Sequence, residues 1–347
     1  MKTIDFSPAD EDALYKFHAL PQQVYAKDRL WTPQSEAAVS SLFTSLDKVF
    51  IRPLLCVHGG NPLARAVAIL HPGARDDLER PLGYIGFFEC LEQFPQAGSI
   101  VLEHAEQILK LQGAASVQAP RVDNMLMGLV VGDNSIPQTV LTSHNPPYYL
   151  DILRSRGYRV REHLYTYIFD RSSAINFHIQ LPGIYTRTFN RERLQEEVRI
   201  FHTLQVEIFK EHPGWISRTL DEDRRMIEDF LPMLDDELVI IAEDKDKRPL
   251  GLLVCLPDVY QAFRGQRIDN ARLISIGAIP AMTEKGIGVV MCLHLFRNLL
   301  GKGYQTLEAS WIRDSNILPQ NLARRFNGRP GRTFALFEKG LSDSINT

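Results

Sequence analysis

The residues with the clearest chemical potential lie in IPAMTEKGIGVVM, from Ile279 to Met291. A strand pattern ends at Pro280, and Gly286 and Gly288 then open a helix pattern. The first backbone N–H groups of a helix lack intrahelical acceptors and point at whatever precedes the helix. Glycines there let phosphate oxygens approach, and Lys285 adds a positive charge. The arrangement suits a pyrophosphate, or else an ordinary glycine-rich strand-to-helix turn. Neither the GxxxxGK[ST] phosphate loop nor the GxGxxG dinucleotide pattern is present.

Other reactive side chains are scattered. Cys56, Cys90, Cys255 and Cys292 are far apart in sequence, with no CxxC, which excludes a zinc ribbon and a disulfide scaffold and fits reduced thiols in a cytoplasmic protein. His294 sits inside an apolar helix and reads as a hydrogen-bonded core residue. His202 and His212 are ten apart, and no histidine pair at i, i+4 supports a metal, so none is expected. Arg324, Arg325, Arg329 and Arg332 form a local basic cluster suited to phosphate or carboxylate, or to solvent.

The elements that must position these groups follow from periodicity. Ile184–Phe189 reads as a strand, and Leu194, Val198, Phe201, Leu204 and Ile208 mark one helix face. Thr219 and Glu222 form a capping box before a second helix. Strands follow at 238–242, 250–256 and 271–279, then a buried helix at 286–300 and a strand at 304–312. The first half offers a weaker copy: a helix at 10–18, strands at 63–70 and 82–89, a helix at 100–111, a strand at 115–119 and a helix at 147–156. Together these predict an α+β (α/β layered) protein with an internal repeat, divided at a linker over 171–182 into units 1–170 and 183–347. The length of 347 residues, 44% hydrophobic and 23% charged, suits two globular domains. A net charge of −3 disfavours nucleic acid as a partner. No apolar run reaches the roughly 18 residues of a membrane span, and the acidic N-terminus does not read as a signal peptide.

The stretch ARLISIGAIPAMTEKGIGVVM, from Ala271 to Met291, resembles the central strand and cofactor loop of the GCN5-related N-acetyltransferase superfamily. In that superfamily an Arg or Gln, two residues, Gly, one residue, and Gly or Ala cradle the coenzyme A pyrophosphate. Thr283 stands here at the Arg or Gln position, ahead of Gly286, Ile287 and Gly288. EASWIRDSN from Glu308 and FNGRPGRTFALFEK from Phe326 extend the likeness to a group of bacterial double-domain members, mostly uncharacterised. VYAKDRLWTP from Val24, GFFE from Gly86 and NPPYYLDILRSRGY from Asn145 carry it through the first half.

The resemblance implies tandem acyl-CoA N-acyltransferase-like domains, each a mixed, mainly antiparallel twisted sheet flanked by helices. It implies acyl transfer from acetyl-CoA or another acyl-CoA to a small-molecule amine, without a metal or a membrane. Carried over by position, Ser275–Ile279 is a splayed strand and Leu307–Ile312 its partner. Backbone groups at Ala278 or Ile279 would meet the thioester or pantetheine carbonyl, Thr283, Lys285, Gly286, Ile287 and Gly288 the pyrophosphate, and Asn316 the pantetheine arm. Glu308 is the candidate proton acceptor, and Ser275 could orient a water. Relatives often place a tyrosine near the thiol sulfur, whereas this chain has none after Tyr304 and carries Phe326, Phe334 and Phe337 instead. The first half lacks a glycine loop after Gly86 and is expected to bind no cofactor. Its Glu89, with Tyr148 and Tyr149, would either serve an acceptor or belong to a copy that keeps only the fold. A non-catalytic scaffold and an acyltransferase fed by an acyl carrier protein are the alternatives to a coenzyme A-dependent enzyme.

Overall fold

The computed structural model describes residues 1–36, 39–40, 43, 49–173, 179–212, 214–283 and 285–341. The chain forms two compact units: Met1–His163 together with the chain from Thr333 onward, and Leu164–Arg332. This division departs from the expected boundary, of which residues 174–178 lie outside the described residues. The physical reason lies in two strands. Tyr167 and Phe169 pack in the core of the second unit, whereas Ala335, Phe337 and Leu341 pack in the core of the first. A strand's choice of core is a long-range property that local sequence does not carry.

The first unit contains β1 (Lys2–Asp5), α1 (Glu11–Val24), β2 (Phe50–His58), β3 (Asn61–Arg75), β4 (Pro81–Cys90), α2 (Pro95–Leu111), β5 (Ser116–Ala119), β6 (Leu129–Val130), α3 (Tyr149–Ser155) and the start of β7 (Arg159–Asp170). Its sheet runs β1-β2-β3-β4-β5-β13, where β13 is Arg329–Gly340, and β6 also pairs with β13. Only β4 and β5 are parallel. Val101, Leu102, Ala105 and Leu109 of α2 pack on the sheet, which puts the core between them.

The second unit repeats this plan. It contains β8 (Ile184–Thr188), α4 (Leu194–Phe209), α5 (Leu220–Phe230), β9 (Val239–Asp244), β10 (Pro249–Pro257), the short α6 (Tyr260–Phe263), β11 (Asn270–Ala278), α7 (Ile287–Lys302), β12 (Thr306–Arg313) and α8 (Ile317–Arg325). Its sheet order is β7-β12-β11-β10-β9-β8, again with one parallel pair, β11 with β12. α7 is apolar because Ile287, Met291, Cys292, Leu295 and Leu299 bury against one face of the sheet. α4 and α5 cover the other through Val198, Leu204 and Ile227. The predicted capping box starts α5: the Thr219 hydroxyl accepts from the Glu222 N–H, and the Glu222 carboxylate accepts from the Thr219 N–H. Among the described residues no helix is long and apolar enough to cross a membrane.

Close packing fixes α4 on β11. A Cβ at Gly277 would overlap Cγ2 of Ile208. Gly277→Ala is therefore expected to cost about 1–3 kcal/mol in urea denaturation. Combining it with Ile208→Ala should cost less than the two separate losses by about 1 kcal/mol, because the two sites touch.

Candidate functional site

The central feature of the second unit is a sheet that opens. β11 and β12 pair only from Asn270↔Thr306 to Leu273↔Ala309, although β11 runs on to Ala278 and β12 to Arg313. Both strands carry irregularities where they part: β11 against β10 at Val254/Cys255, and β12 against β7 between Ala309 and Ile312. A bulge bends its strand and increases local twist, which turns the two strand ends apart. Burial follows the opening, since residues 271–273 are buried and residues 274–279 only half so.

The register decides which backbone groups face the opening. The Ile279 N–H donates to the Leu250 carbonyl at 2.9 Å, so that donor is committed to β10. Strand amides alternate sides. Ile276 and Ala278 therefore aim their N–H groups away from β10, to the side that β12 has left. Of the two expected carbonyl-binding positions, Ala278 has its N–H on the open side and Ile279 has its N–H engaged by β10.

α7 starts directly beyond this opening. Its N-cap is Gly286, at φ 83°, with no side-chain cap and no acidic residue in the first turn. Val289 and Val290 donate to the Gly286 carbonyl, whereas the N–H groups of Gly286, Ile287 and Gly288 meet no acceptor among the described residues. A Cβ at Gly288 would stand 3.6 Å from Leu322 Cδ2 and 3.8 Å from Ile276 Cδ1, ordinary contacts. Packing therefore does not require glycine there, and its absent side chain leaves room over the helix start. Thr283 and Lys285 are exposed on the approach, with Thr283 Oγ1 donating to the Ile279 carbonyl at 3.4 Å. Glu284 lies outside the described residues. The donors, the room and the lysine suit a phosphate.

The structure gives Glu308 a place at odds with proton transfer. It lies on the rung before the ladder ends, opposite Arg272. Both its oxygens accept from Arg332 Nη2, at 3.3 and 3.1 Å, and Ser310 Oγ donates to it at 3.1 Å. Arg272 Nε in turn donates to Ser310 Oγ at 2.8 Å. The side chains of Arg332 and Glu308 are 1% and 3% exposed. Burial lowers the Arg272 pKa to about 10 against the upward pull of Glu308. Both carboxylate oxygens are thus already engaged by protein donors. Arg332 thus leaves the expected surface cluster, of which Arg324, Arg325 and Arg329 remain exposed. Ser275 is half-buried, and alternation from Gly277 puts it on the face covered by α4.

Asn316 caps α8 without the usual side-chain hydrogen bond to its backbone. Its Nδ2 lies 3.3 Å from His212 Nε2 instead. His212 thus lies in the loop after α4, whose Ile208 packs on Gly277 of β11, and meets Asn316 just after β12. Burial, then the nearby Arg313, lowers its pKa below 6.5, so the ring is neutral at neutral pH. His212 escaped sequence reasoning because a lone histidine carries no spacing; its only signal was its place in the loop after α4. His294 is hydrogen-bonded, as expected, to Thr186 Oγ1 at 2.9 Å, but it is half-buried and not part of the core. Phe326 stacks on Phe296 at 5.2 Å, and Phe334 and Phe337 are buried.

In the first unit, β4 and β5 pair over Leu82–Tyr84 against Ser116–Gln118, and β4 then continues beyond β5, still paired with β3 to Cys90 across an irregularity near Phe87, φ 51°. Tyr149 donates to Glu89 Oε2 at 2.7 Å, and Tyr148 to the Cys90 carbonyl at 2.6 Å. The expected Glu89–tyrosine group is thus brought together, and Glu89 and Tyr149 line a cavity of about 120 Å³. The α2 start is closed, since a Cβ at Gly98 would meet Cys90 Sγ, Ile152 Cδ1 and Phe88 Cζ at 3.1–3.2 Å. The four cysteines are free and buried. Among the described residues no group of three or more His, Cys, Asp or Glu side chains could hold a metal ion.

No model of a known protein family matches the sequence. Protein YghO of Escherichia coli is 22% identical over 369 residues, spanning 96% of this chain and 94% of that protein. A GCN5-related N-acetyltransferase from Sphaerobacter thermophilus superposes with a TM-score of 0.58 at 16% identity, covering 99% of this chain and 98% of its own. A tandem GNAT protein from the clavulanic acid biosynthesis pathway superposes with a TM-score of 0.63 at 10% identity, covering 99% of both chains. With one parallel pair among the mainly antiparallel strands of each unit, the chain has the fold of the tandem GCN5-related N-acetyltransferases.

Proposed function

We propose that the second unit is an acyl-CoA-dependent N-acyltransferase acting on a small-molecule amine. One observation carries this reading: the strand opening at Leu273/Ala309 leads onto an uncapped helix start that Gly288 leaves clear. Gly286, Ile287 and Gly288 hold the pyrophosphate with backbone N–H groups, Lys285 adds charge, and the acyl thioester lies in the opening. Thr283 supplies no guanidinium, so the main chain carries most of the phosphate binding.

The amine nitrogen attacks the thioester carbonyl carbon, a C–N bond forms, and the C–S bond breaks. The carbonyl oxygen gains negative charge on the way, and the preformed Ala278 N–H stabilises it. Neutral His212 takes the proton that the nitrogen loses on Nε2, giving up the hydrogen bond this atom accepts from Asn316 Nδ2, and one proton returns to the thiolate, so the reaction balances. Asn316 orients the ring. Glu308, Arg272 and Arg332 act as positioning residues that hold the last paired rung.

Titration with acetyl coenzyme A, coenzyme A and an acylated carrier protein tests the donor. Gly288→Ala is expected to leave thermal stability unchanged or slightly raised, since alanine is the better helix former by up to about 1 kcal/mol, while weakening coenzyme A binding about tenfold or more. Equal binding by variant and wild type would sink the phosphate assignment. Binding of the carrier thioester alone would move the donor to the carrier protein.

The pH dependence tests His212. With a neutral amine and a neutral imidazole both required, log kcat/KM rises with a slope of two below the His212 pKa, which lies under 6.5, and a slope of one above it. His212→Asn is expected to lower kcat by about 100-fold and to remove the steeper limb. An unchanged profile in a folded variant would exclude His212 as the proton acceptor.

A further inference from the structure

The cavity of the first unit holds an ion pair that is not closed on itself. Arg65 lies in the middle of β3 and is 4% exposed. Its Nη1 donates to the Phe17 carbonyl at 2.8 Å, and its guanidinium carbon sits 4.5 Å over the Phe17 ring. Its Nη2 stands 3.9 Å from Glu89 Oε1, beyond hydrogen-bond distance, and its Nε is buried with no partner among the described residues. Glu89 is held from the other side by Tyr149. Arg65 and Glu89 both line the 120 Å³ cavity, which has space for several heavy atoms and not just one water.

Trp31, Phe87 and Phe88 supply apolar wall, with Trp31 stacked on Tyr25 at 4.7 Å. A buried arginine with an unused donor is costly, and so is a buried carboxylate kept from full contact with its counter-ion. A lone anion would satisfy Arg65 and leave Glu89 opposed, and a lone cation would do the reverse. A molecule carrying both charges on neighbouring atoms satisfies the two together.

We infer that this cavity is a binding site for a small α-amino acid, with Arg65 receiving the carboxylate, Glu89 the ammonium group, and the aromatic wall an apolar side chain. The proposal does not depend on acyl transfer by the second unit, because its test reads binding and not thiol release. Burial raises the Glu89 pKa, while Arg65, Tyr149 and Tyr25 pull it back toward the ionised form that an ammonium group needs.

The experiment is calorimetric titration of the full chain, without coenzyme A, with leucine, phenylalanine and glycine, and with two fragments of leucine: 3-methylbutylamine and 4-methylpentanoate. Leucine or phenylalanine is expected to bind, and each fragment at least about tenfold more weakly than leucine. Glu89→Gln and Arg65→Gln are expected to weaken amino-acid binding by about tenfold or more. Tyr149→Phe keeps the ring, removes the hydroxyl that holds Glu89, and should weaken binding less. No binding of any amino acid to the wild type up to ~10 mM would overturn the proposal. So would fragments that bind as well as leucine, a measurement that needs no variant to fold. Undiminished binding in folded Glu89→Gln and Arg65→Gln would also overturn it, by placing the ligand elsewhere.

Discussion

A sheet whose central parallel pair parts, while its outer pairs hold, is the constraint on which the second unit is built. β11 keeps β10 as far as Ala278, and β12 keeps β7 as far as Arg313, yet the two part after Leu273/Ala309. Backbone groups deprived of a ladder partner are costly if sealed from water. Here they are not sealed, since 274–279 are half-exposed. The opening is thus tolerable without a ligand and offers directed donors to one. The same divergence leaves space before α7, so one deformation gives both an open slot beside β11 and access to a helix start.

The buried charges beside the opening make sense as fixtures. Glu308, Arg332, Ser310 and Arg272 link β12, β13 and β11 beside the last shared rung. A buried ion pair recovers little net stability once desolvation is counted. It does resist sliding, because a shift of one strand would leave a charge buried alone. On this view the pair sets where the strands begin to part, and the chemistry falls to groups farther along: Ala278, the α7 start and His212.

Local sequence disclosed those parts of the fold and site that depend on local rules. The Thr219–Glu222 box, the apolar α7 and Gly286 are short-range features, and each stands in the structure as read. β1 and β2 went unread, as did the return of Phe334–Gly340 to the first unit's sheet, because strand pairing is decided by partners far away in the chain. The charged networks left a trace that could have been used. Arg65 in LARAVAIL, Glu89 in GFFEC, Arg272 in ARLIS and Glu308 in TLEAS are single charges inside apolar strand segments. A charge in such a segment needs a partner, but the sequence does not say which, and Glu308 took Arg332 in place of a substrate.

The two units show how one architectural piece acquires different uses. Each contains a strand, a turn, a helix and a parallel strand, and in each the parallel pair ends early. At α7 the glycine leaves space, with the nearest side chains 3.6 and 3.8 Å from a would-be Cβ. At α2 the corresponding region is crowded by Phe88, Cys90 and Ile152, and the Tyr149 hydroxyl accepts from the Cys90 N–H at 2.8 Å. Backbone donors that could have met a phosphate are covered, and the free volume lies on the Arg65–Glu89 side, lined by charge and aromatic rings. The start of α2 is crowded where that of α7 is open, and the free volume of the first unit lies elsewhere. A duplicated fold can therefore divide its labour by side-chain packing alone, with the backbone plan of both copies intact.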